Sequence, residues 1–282
     1  MPELPEVETI SRQLNEVLFG KKILKVEVLR EKSFKGNEKE LVGKVIDGVT
    51  RRAKMMAFHF KNWDKYLVVH LKMTGQIIYL SRSRRVVGGH PTADWVNDLP
   101  SKHTRVVIDL TDEAKVFFND LRVFGWMKIM TRDDWEKLGQ RLPPDVTNKE
   151  FTQEYFSKVL AKSGRSVKLV LLDQDKIGGV GNIYANDALY KARIDPRRKA
   201  KELSKKEASD LFEAVKEVIY LGIKYGGASV DKYVDAAGVG GKYQEHFLVY
   251  RKDGEKCKRD GQVIKKIKIG ARGTYYCPGC QK

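Results

Sequence analysis

The sequence predicts an α+β chain in three parts: an N-terminal β-sandwich or flattened barrel with one helix packed on it, a helical segment, and a terminal β-hairpin module. Three features predict this order. Short β-prone runs broken by Gly, Asn and Asp fill the chain from Ile23 to about Ile129. Helical periodicity replaces them after Thr131. All three cysteines lie at or beyond Cys257, beside further β-like runs. The expected segments are 1–130, 131–241 and 242–282.

Residues 5–18 place Val7, Ile10, Leu14 and Val17 on one helical face. Gly20 stops that helix, and Glu3, Glu6 and Glu8 suit its positive N-terminal end. Strand-like runs follow at Ile23–Leu29, Met55–Phe60, Tyr66–Leu71, Gln76–Leu80, Thr104–Leu110 and Lys115–Phe118. Helices are expected at Phe151–Leu160, Ser166–Leu172, Asn182–Lys191 and Ser204–Tyr225, the last opened by a Ser204/Glu207 capping box. A glycine-rich stretch, Gly226 to Gly241, leads into β-like segments at Phe247–Tyr250 and Gln262–Ile269.

At 282 residues with 41% hydrophobic content, the chain can build real cores and is not globally disordered. Lys and Arg number 54 against 37 Asp and Glu, a formal net charge of +17. Such an excess suits a polyanion, because each neutralised phosphate releases condensed counterions. A merely lysine-rich soluble protein is the alternative that charge alone leaves open. No run approaches the roughly 20 apolar residues of a membrane span. The acidic, proline-containing start does not fit a secretory signal, so a cytoplasmic or nucleoid-associated protein is expected. Cysteines crowded at one end read as a local metal site rather than a disulfide framework.

The N-terminus offers chemistry of its own. With Met1 removed, Pro2 becomes a terminal secondary amine, partly unprotonated near neutral pH. Such an amine can attack a sugar C1′ and form a cationic iminium, with the adjacent Glu3 moving protons as the ring opens. The plainer reading is a proline before a helix, with acids set against its dipole.

Beyond the start Pro2–Ile10, further motifs run the length of the chain. They are Arg51-Arg52-Ala53-Lys54, His70-Leu71-Lys72-Met73-Thr74-Gly75 and Asn119-Asp120-Leu121-Arg122-Val123-Phe124-Gly125. Later come Leu171-Leu172-Asp173-Gln174, Gly179-Val180-Gly181-Asn182-Ile183-Tyr184-Ala185 and Arg272 through Gln281. In this order and spacing the chain resembles the Fpg/Nei family, the formamidopyrimidine-DNA glycosylases and their endonuclease VIII-like relatives. Leu4 matches the formamidopyrimidine branch, where the other branch typically has Gly.

The resemblance implies roles residue by residue. Pro2 corresponds to the nucleophile, Glu3 to its acid–base partner and Lys54 to a lysine near the lesion. Met73, Arg122 and Phe124 correspond to the side chains that enter the duplex when the damaged nucleotide leaves it. A stacked base cannot be attacked at C1′, so it must be flipped and the vacated stack refilled. Met is adaptable, Phe can wedge, and Arg offers planar donors to an orphaned cytosine. Lys168 corresponds to a second lysine near the flipped purine. Asn182, opening a helix after a glycine-rich turn, corresponds to a phosphate ligand of a helix–two-turn–helix element. Tyr184 is expected to pack rather than react.

The family commonly ends in a four-cysteine zinc finger. Here Cys257, Cys277 and Cys280 keep the frame, but Asp260 stands where the remaining Cys is expected. A carboxylate is a legitimate zinc ligand, so one structural zinc on three Cys and Asp260 is expected, against an unmetallated hairpin. Arg272 corresponds to the fingertip arginine that grips phosphate. Leu121, Val123 and Lys72 depart from residues common in the family, and Ser229–Lys242, which corresponds to a loop closing over the flipped purine, carries no recognisable motif.

The whole implies a monomeric bifunctional glycosylase and AP lyase. Its partner would be damaged double-stranded DNA, with oxidised purines opposite cytosine as substrate and no organic cofactor. The alternatives are an endonuclease VIII-like enzyme for oxidised pyrimidines and a damaged-DNA binding protein without chemistry.

Overall fold

The computed structural model describes residues 2–89, 98–228 and 241–282, in two compact units. One comprises Met1–Arg141 with Tyr225–Gln244, the other Leu142–Lys224 with Glu245–Lys282. Most of the stretch Ser229–Lys242, up to Gly240, lies outside the described residues.

The first unit opens with helix α1 (Leu4–Leu18). Its apolar face, with Val7, Ile10, Leu14 and Leu18, is buried, as the sequence spacing predicts. Ten strands follow: β1 (Ile23–Val28), β2 (Phe34–Lys35), β3 (Ile46–Arg52), β4 (Met55–Phe60), β5 (Lys65–His70), β6 (Gly75–Leu80), β7 (Arg85–Gly89), β8 (Thr104–Leu110), β9 (Lys115–Asp120) and β10 (Trp126–Thr131). They form two five-stranded sheets, ordered β1-β8-β9-β6-β7 and β2-β10-β5-β4-β3. Among the described pairings of these ten strands, only β2–β10 is parallel.

Alternating burial along β8 marks a sheet with one face in the core. That core joins α1 to both sheets through Phe58, Val69, Ile77, Val106 and Phe118. Each such aliphatic or aromatic side chain contributes roughly 1.5–3 kcal/mol on burial. α1 lies directly on β7: a Cβ on Gly88 would sit 2.3 Å from Ile10 Cγ1.

Strands β3, β7 and β10 were not anticipated from the sequence, nor was helix α2 (Arg132–Arg141). β3 carries Gly48 and three charged side chains, and β7 ends in two glycines, so neither shows a clear apolar alternation. In α2 only Trp135 is buried, which leaves no stripe to recognise.

The second unit contains α3 (Gln153–Ala161), α4 (Val167–Leu171), α5 (Asn182–Lys191), α6 (Lys205–Lys224) and a hairpin of β11 (Lys265–Ile269) and β12 (Arg272–Tyr276). Every residue of α5 from Ile183 to Tyr190 is buried, so it is the central helix of its unit. The predicted capping box is present: Ser204 N–H donates to Glu207 Oε2 at 2.8 Å, and Glu207 N–H to Ser204 Oγ at 3.2 Å. The strand expected at Phe247–Tyr250 is instead a turn. Asp187 Oδ1 accepts the Val249 and Tyr250 N–H groups at 3.0 and 3.1 Å, which takes the place of a ladder partner.

Candidate functional site

In the first unit, strand register gathers several of the singled-out residues at one end of the sandwich. Arg52 pairs with Met55 across the turn that holds Lys54, and Trp126 pairs with His70 at the end of β5. Gly75 pairs with Asp120, which brings the Met73 turn beside the loop carrying Arg122 and Phe124. Arg122 Nη1 lies 3.4 Å from Met73 Sδ, and its guanidinium sits 4.6 Å from the Phe124 ring centroid. Arg122 and Phe124 are exposed and Met73 half-buried, an apolar and cationic trio facing outward.

The N-terminus of α1 is tied down by acids. Glu3 N–H donates to Glu6 Oε2 at 2.8 Å, while Glu6 Oε1 accepts the Ala228 N–H at 2.7 Å. Pro2 and Glu3 are both buried. Glu8 accepts from Arg51 Nε at 2.6 Å, and Arg51 Nη1 donates to the Ala53 carbonyl at 2.8 Å. That chain braces the left-handed Ala53 (φ 49°) immediately before Lys54. Burial alone would raise the Glu8 carboxyl, but hydrogen bonds and charge from Arg51 and then Arg12 hold it below its ordinary value. Lys54 is 6% exposed. Burial, then the charges of Lys72 and Lys54, push His70 down to about 3. The sequence set Glu6 and Glu8 only against the helix dipole and gave His70 and Asp120 no role. Each lies inside a quoted motif, but only tertiary neighbours reveal what it holds.

In the second unit, Lys168, expected near the flipped purine, is fully buried and bonded to the hairpin. Its Nζ donates to the Gly273 carbonyl at 2.9 Å, to Thr274 Oγ1 at 2.7 Å and to Asn186 Oδ1 at 3.4 Å. Asn182 Nδ2 donates to the same Gly273 carbonyl at 3.1 Å. Both residues therefore support the peptide that follows Arg272, whose own side chain is exposed. Tyr184 packs, as expected: it is fully buried against Gly222.

Cys257, Asp260, Cys277 and Cys280 offer ligand atoms that all lie within 4.8 Å of one another. Cys257 Sγ and Cys280 Sγ are 3.9 Å apart, and Cys277 Sγ is 3.3 Å from both Asp260 oxygens. Sulfurs on one tetrahedral zinc, at about 2.3 Å each, lie roughly 3.7 Å apart, so the donor set fits one zinc ion. Asp260 has room because residue 279 is Gly: a Cβ there would meet Asp260 Oδ2 at 2.2 Å. Tyr190 Oη lies 3.2 Å from Cys257 Sγ, and Arg259 covers the Tyr190 ring at 4.3 Å, which anchors the finger to α5.

Three family models match this chain in order. They are the Formamidopyrimidine-DNA glycosylase N-terminal domain over residues 1–127, the Formamidopyrimidine-DNA glycosylase H2TH domain over 142–234, and the Zinc finger found in FPG and IleRS over 254–282. A helix-packed sandwich, a helix–two-turn–helix unit and a zinc-finger hairpin thus define a DNA glycosylase of DNA repair. The chain belongs to the formamidopyrimidine-DNA glycosylase family. It is 38% identical to the Formamidopyrimidine-DNA glycosylase of Carboxydothermus hydrogenoformans and 37% to that of Pelotomaculum thermopropionicum, covering 100% of this chain and 100% and 99% of those proteins. Among solved structures it matches Lactococcus lactis Fpg in complex with abasic-site DNA, with TM-score 0.88, 32% identity and 99% coverage of both chains. It also matches the Lactococcus lactis protein with Fapy-dG-containing DNA, with TM-score 0.86, 32% identity, and 99% and 100% coverage.

Proposed function

We propose that this chain excises oxidised purines opposite cytosine and then cleaves the strand, acting as a monomer through an N-terminal proline. The observation that carries the reading is the Met73–Arg122–Phe124 trio, with Arg122 and Phe124 exposed, on two adjoining turns of the unit that also contains Pro2. Such a trio suits refilling a stack from which one nucleotide has been extruded. Arg122 offers paired donors to the acceptors of an orphaned cytosine.

With Met1 removed, the Pro2 nitrogen lone pair attacks C1′, and the N–C1′ bond forms as the bond to the damaged base breaks. The base leaves with a proton, and ring opening gives a cationic iminium that needs no further proton loss from nitrogen. Glu3 exchanges protons with the sugar oxygen and nearby water. The iminium acidifies the adjacent C–H, so the 3′-phosphate and then the 5′-phosphate depart, leaving a one-nucleotide gap. Lys54 balances charge at the reacting nucleotide. Asn182 and Arg272 hold phosphates, and Lys168 contributes through the Gly273 peptide. Zinc on Cys257, Asp260, Cys277 and Cys280 supplies rigidity to the finger.

The division of labour follows 1–130 for chemistry, 131–241 for DNA grip and loop closure, and 242–282 for the finger. Abasic and Fapy-dG DNA in complexes of the Lactococcus relative support this substrate class. The same relative in complex with DNA containing an oxidised pyrimidine favours a second reading, a lesion range broader than purines.

Borohydride trapping on a duplex carrying 8-oxoguanine opposite cytosine, with mass spectrometry of the adducted peptide, tests this. An adduct on the N-terminal proline is expected. Trapping on an abasic duplex alone discards the purine assignment, and no trapping on either leaves a binding protein.

A further inference from the structure

Asp120 ends β9 and is fully buried. Its Oδ1 accepts the Thr74 hydroxyl and, at 3.2 Å, the Arg122 N–H, while Oδ2 accepts the Gly125 N–H at 2.6 Å. Thr74 Oγ1 accepts the same Arg122 N–H at 3.1 Å. One carboxylate therefore ties the turn that carries Met73 to the loop that carries Arg122 and Phe124.

Both segments are held in backbone that their residues do not prefer. Lys72, before Met73, has φ 52°, and Val123, between Arg122 and Phe124, has φ 55°. A β-branched residue at positive φ is an outlier that persists only where its surroundings over-determine it. Gly125 closes the loop tightly: a Cβ there would lie 2.9 Å from Phe118 and 3.1 Å from both Asp120 Oδ2 and the His70 carbonyl. A carboxylate can accept all of these donors at once, and bonds to a charged acceptor are the stronger kind. An amide at this position would turn a donor toward one of the N–H groups.

We propose that Asp120 is a positioning residue that presets Met73, Arg122 and Phe124 for entry into the stack before DNA arrives. This rests on the reading of that trio as the side chains that refill the vacated stack. Presetting moves the ordering cost of the two turns from the moment of nucleotide extrusion to folding. The departures at Lys72 and Val123 make the requirement sharper, because neither turn has a glycine to relax the left-handed position.

The test uses the full chain and one chemistry in two contexts. Borohydride trapping is followed on an abasic site opposite cytosine in a duplex, with 2-aminopurine beside it, and on the same abasic site in a single strand. The single strand has no stack to refill. Asp120→Asn and Thr74→Val are expected to slow trapping on the duplex about 10- to 100-fold and to weaken the 2-aminopurine signal, with single-strand trapping within about twofold of the unsubstituted protein. Thr74→Ser, which keeps the hydroxyl, is expected to restore the duplex rate.

Equal losses on both substrates, or no loss on the duplex, overturn the proposal. If Asp120→Asn does not fold, an unaltered Thr74→Val protein overturns it by itself. A joint Met73→Ala, Arg122→Ala, Phe124→Ala variant separates the two ideas. If it alone slows duplex trapping, Asp120 loses its role while the trio keeps its own. If it too is unaffected, the reading of the trio falls and this proposal with it. No trapping by the unsubstituted protein on either substrate overturns the lyase reading and this proposal together.

Discussion

His70 ends β5 within the field of Lys54 and Lys72, and burial followed by those two charges pushes its pKa down to about 3. Its Nδ1 accepts the Lys72 N–H at 3.0 Å, which a neutral ring can do and a protonated one cannot. The folded value lies below the ordinary unfolded value of about 6.5, so the unfolded chain binds the extra proton between them. The contribution of this residue to stability is therefore full above pH ~6.5 and declines as pH falls toward 3. Denaturant midpoints at pH 7.5 and 5 should show the loss, and His70→Asn should flatten it; an unchanged slope would remove His70 from the account. Asp260 gives a second residue-level expectation. Closed structural zinc sites usually use Cys and His, so Asp260→Cys should slow zinc release to a chelator. Release at the native rate would show that Asp260 is not a ligand.

At the scale of elements, close approach depends on missing side chains. α6 meets α5 at Gly222, where a Cβ would sit 2.5 Å from the Tyr184 ring. Tyr184 is fully buried and cannot swing aside, so Gly222→Ala should destabilise its unit by about 1–3 kcal/mol, read from denaturant unfolding. At Gly88 the obstacle is Ile10 of α1, and Gly88→Ala should lift the helix whose first turn holds Glu3. Lost activity with modest lost stability is the expected pairing there; a purely thermodynamic effect would mean that α1 tolerates the shift. Buried polar contacts also join strands near this end of the sandwich. Thr104 Oγ1 donates to Asn119 Oδ1 at 2.8 Å, and Asn119 Nδ2 to Gln76 Oε1 at 3.2 Å, cross-linking β8, β9 and β6 beside Asp120.

For the whole molecule, a net charge of +17 makes affinity for DNA depend on salt. A plot of log affinity against log salt should fall with a slope of about 0.9 per phosphate neutralised, and Arg272→Ala should shallow it by about one contact. Zinc removal should act on the same term less severely. The Lys168 and Asn182 bonds to Gly273 hold the peptide beside Arg272 without passing through the metal. A salt slope that collapses on chelation would show instead that zinc alone orders the fingertip. Among the described residues no helix is long and apolar enough to cross a membrane.

The sequence by itself determined the family, the order of sandwich, helices and finger, the strong helices α1, α5 and α6, and the Cys/Asp frame of the metal site. Those signals are local or depend on fixed spacing: a 3.6-residue apolar period, a capping pair, ligand pairs with two residues between them. Strands β3 and β7 stayed hidden because glycines and charges break their alternation, β10 because Trp-Met-Lys-Ile-Met-Thr shows no apolar–polar alternation, and α2 because it buries a single residue. Only the tertiary structure decided that Lys168 lies beneath the hairpin, that Glu8 braces the Lys54 turn through Arg51, and that Asp120 joins two turns. Each of these acts across 43 or more positions of chain, or through backbone groups that any residue type carries, and such partners leave no local pattern in the sequence.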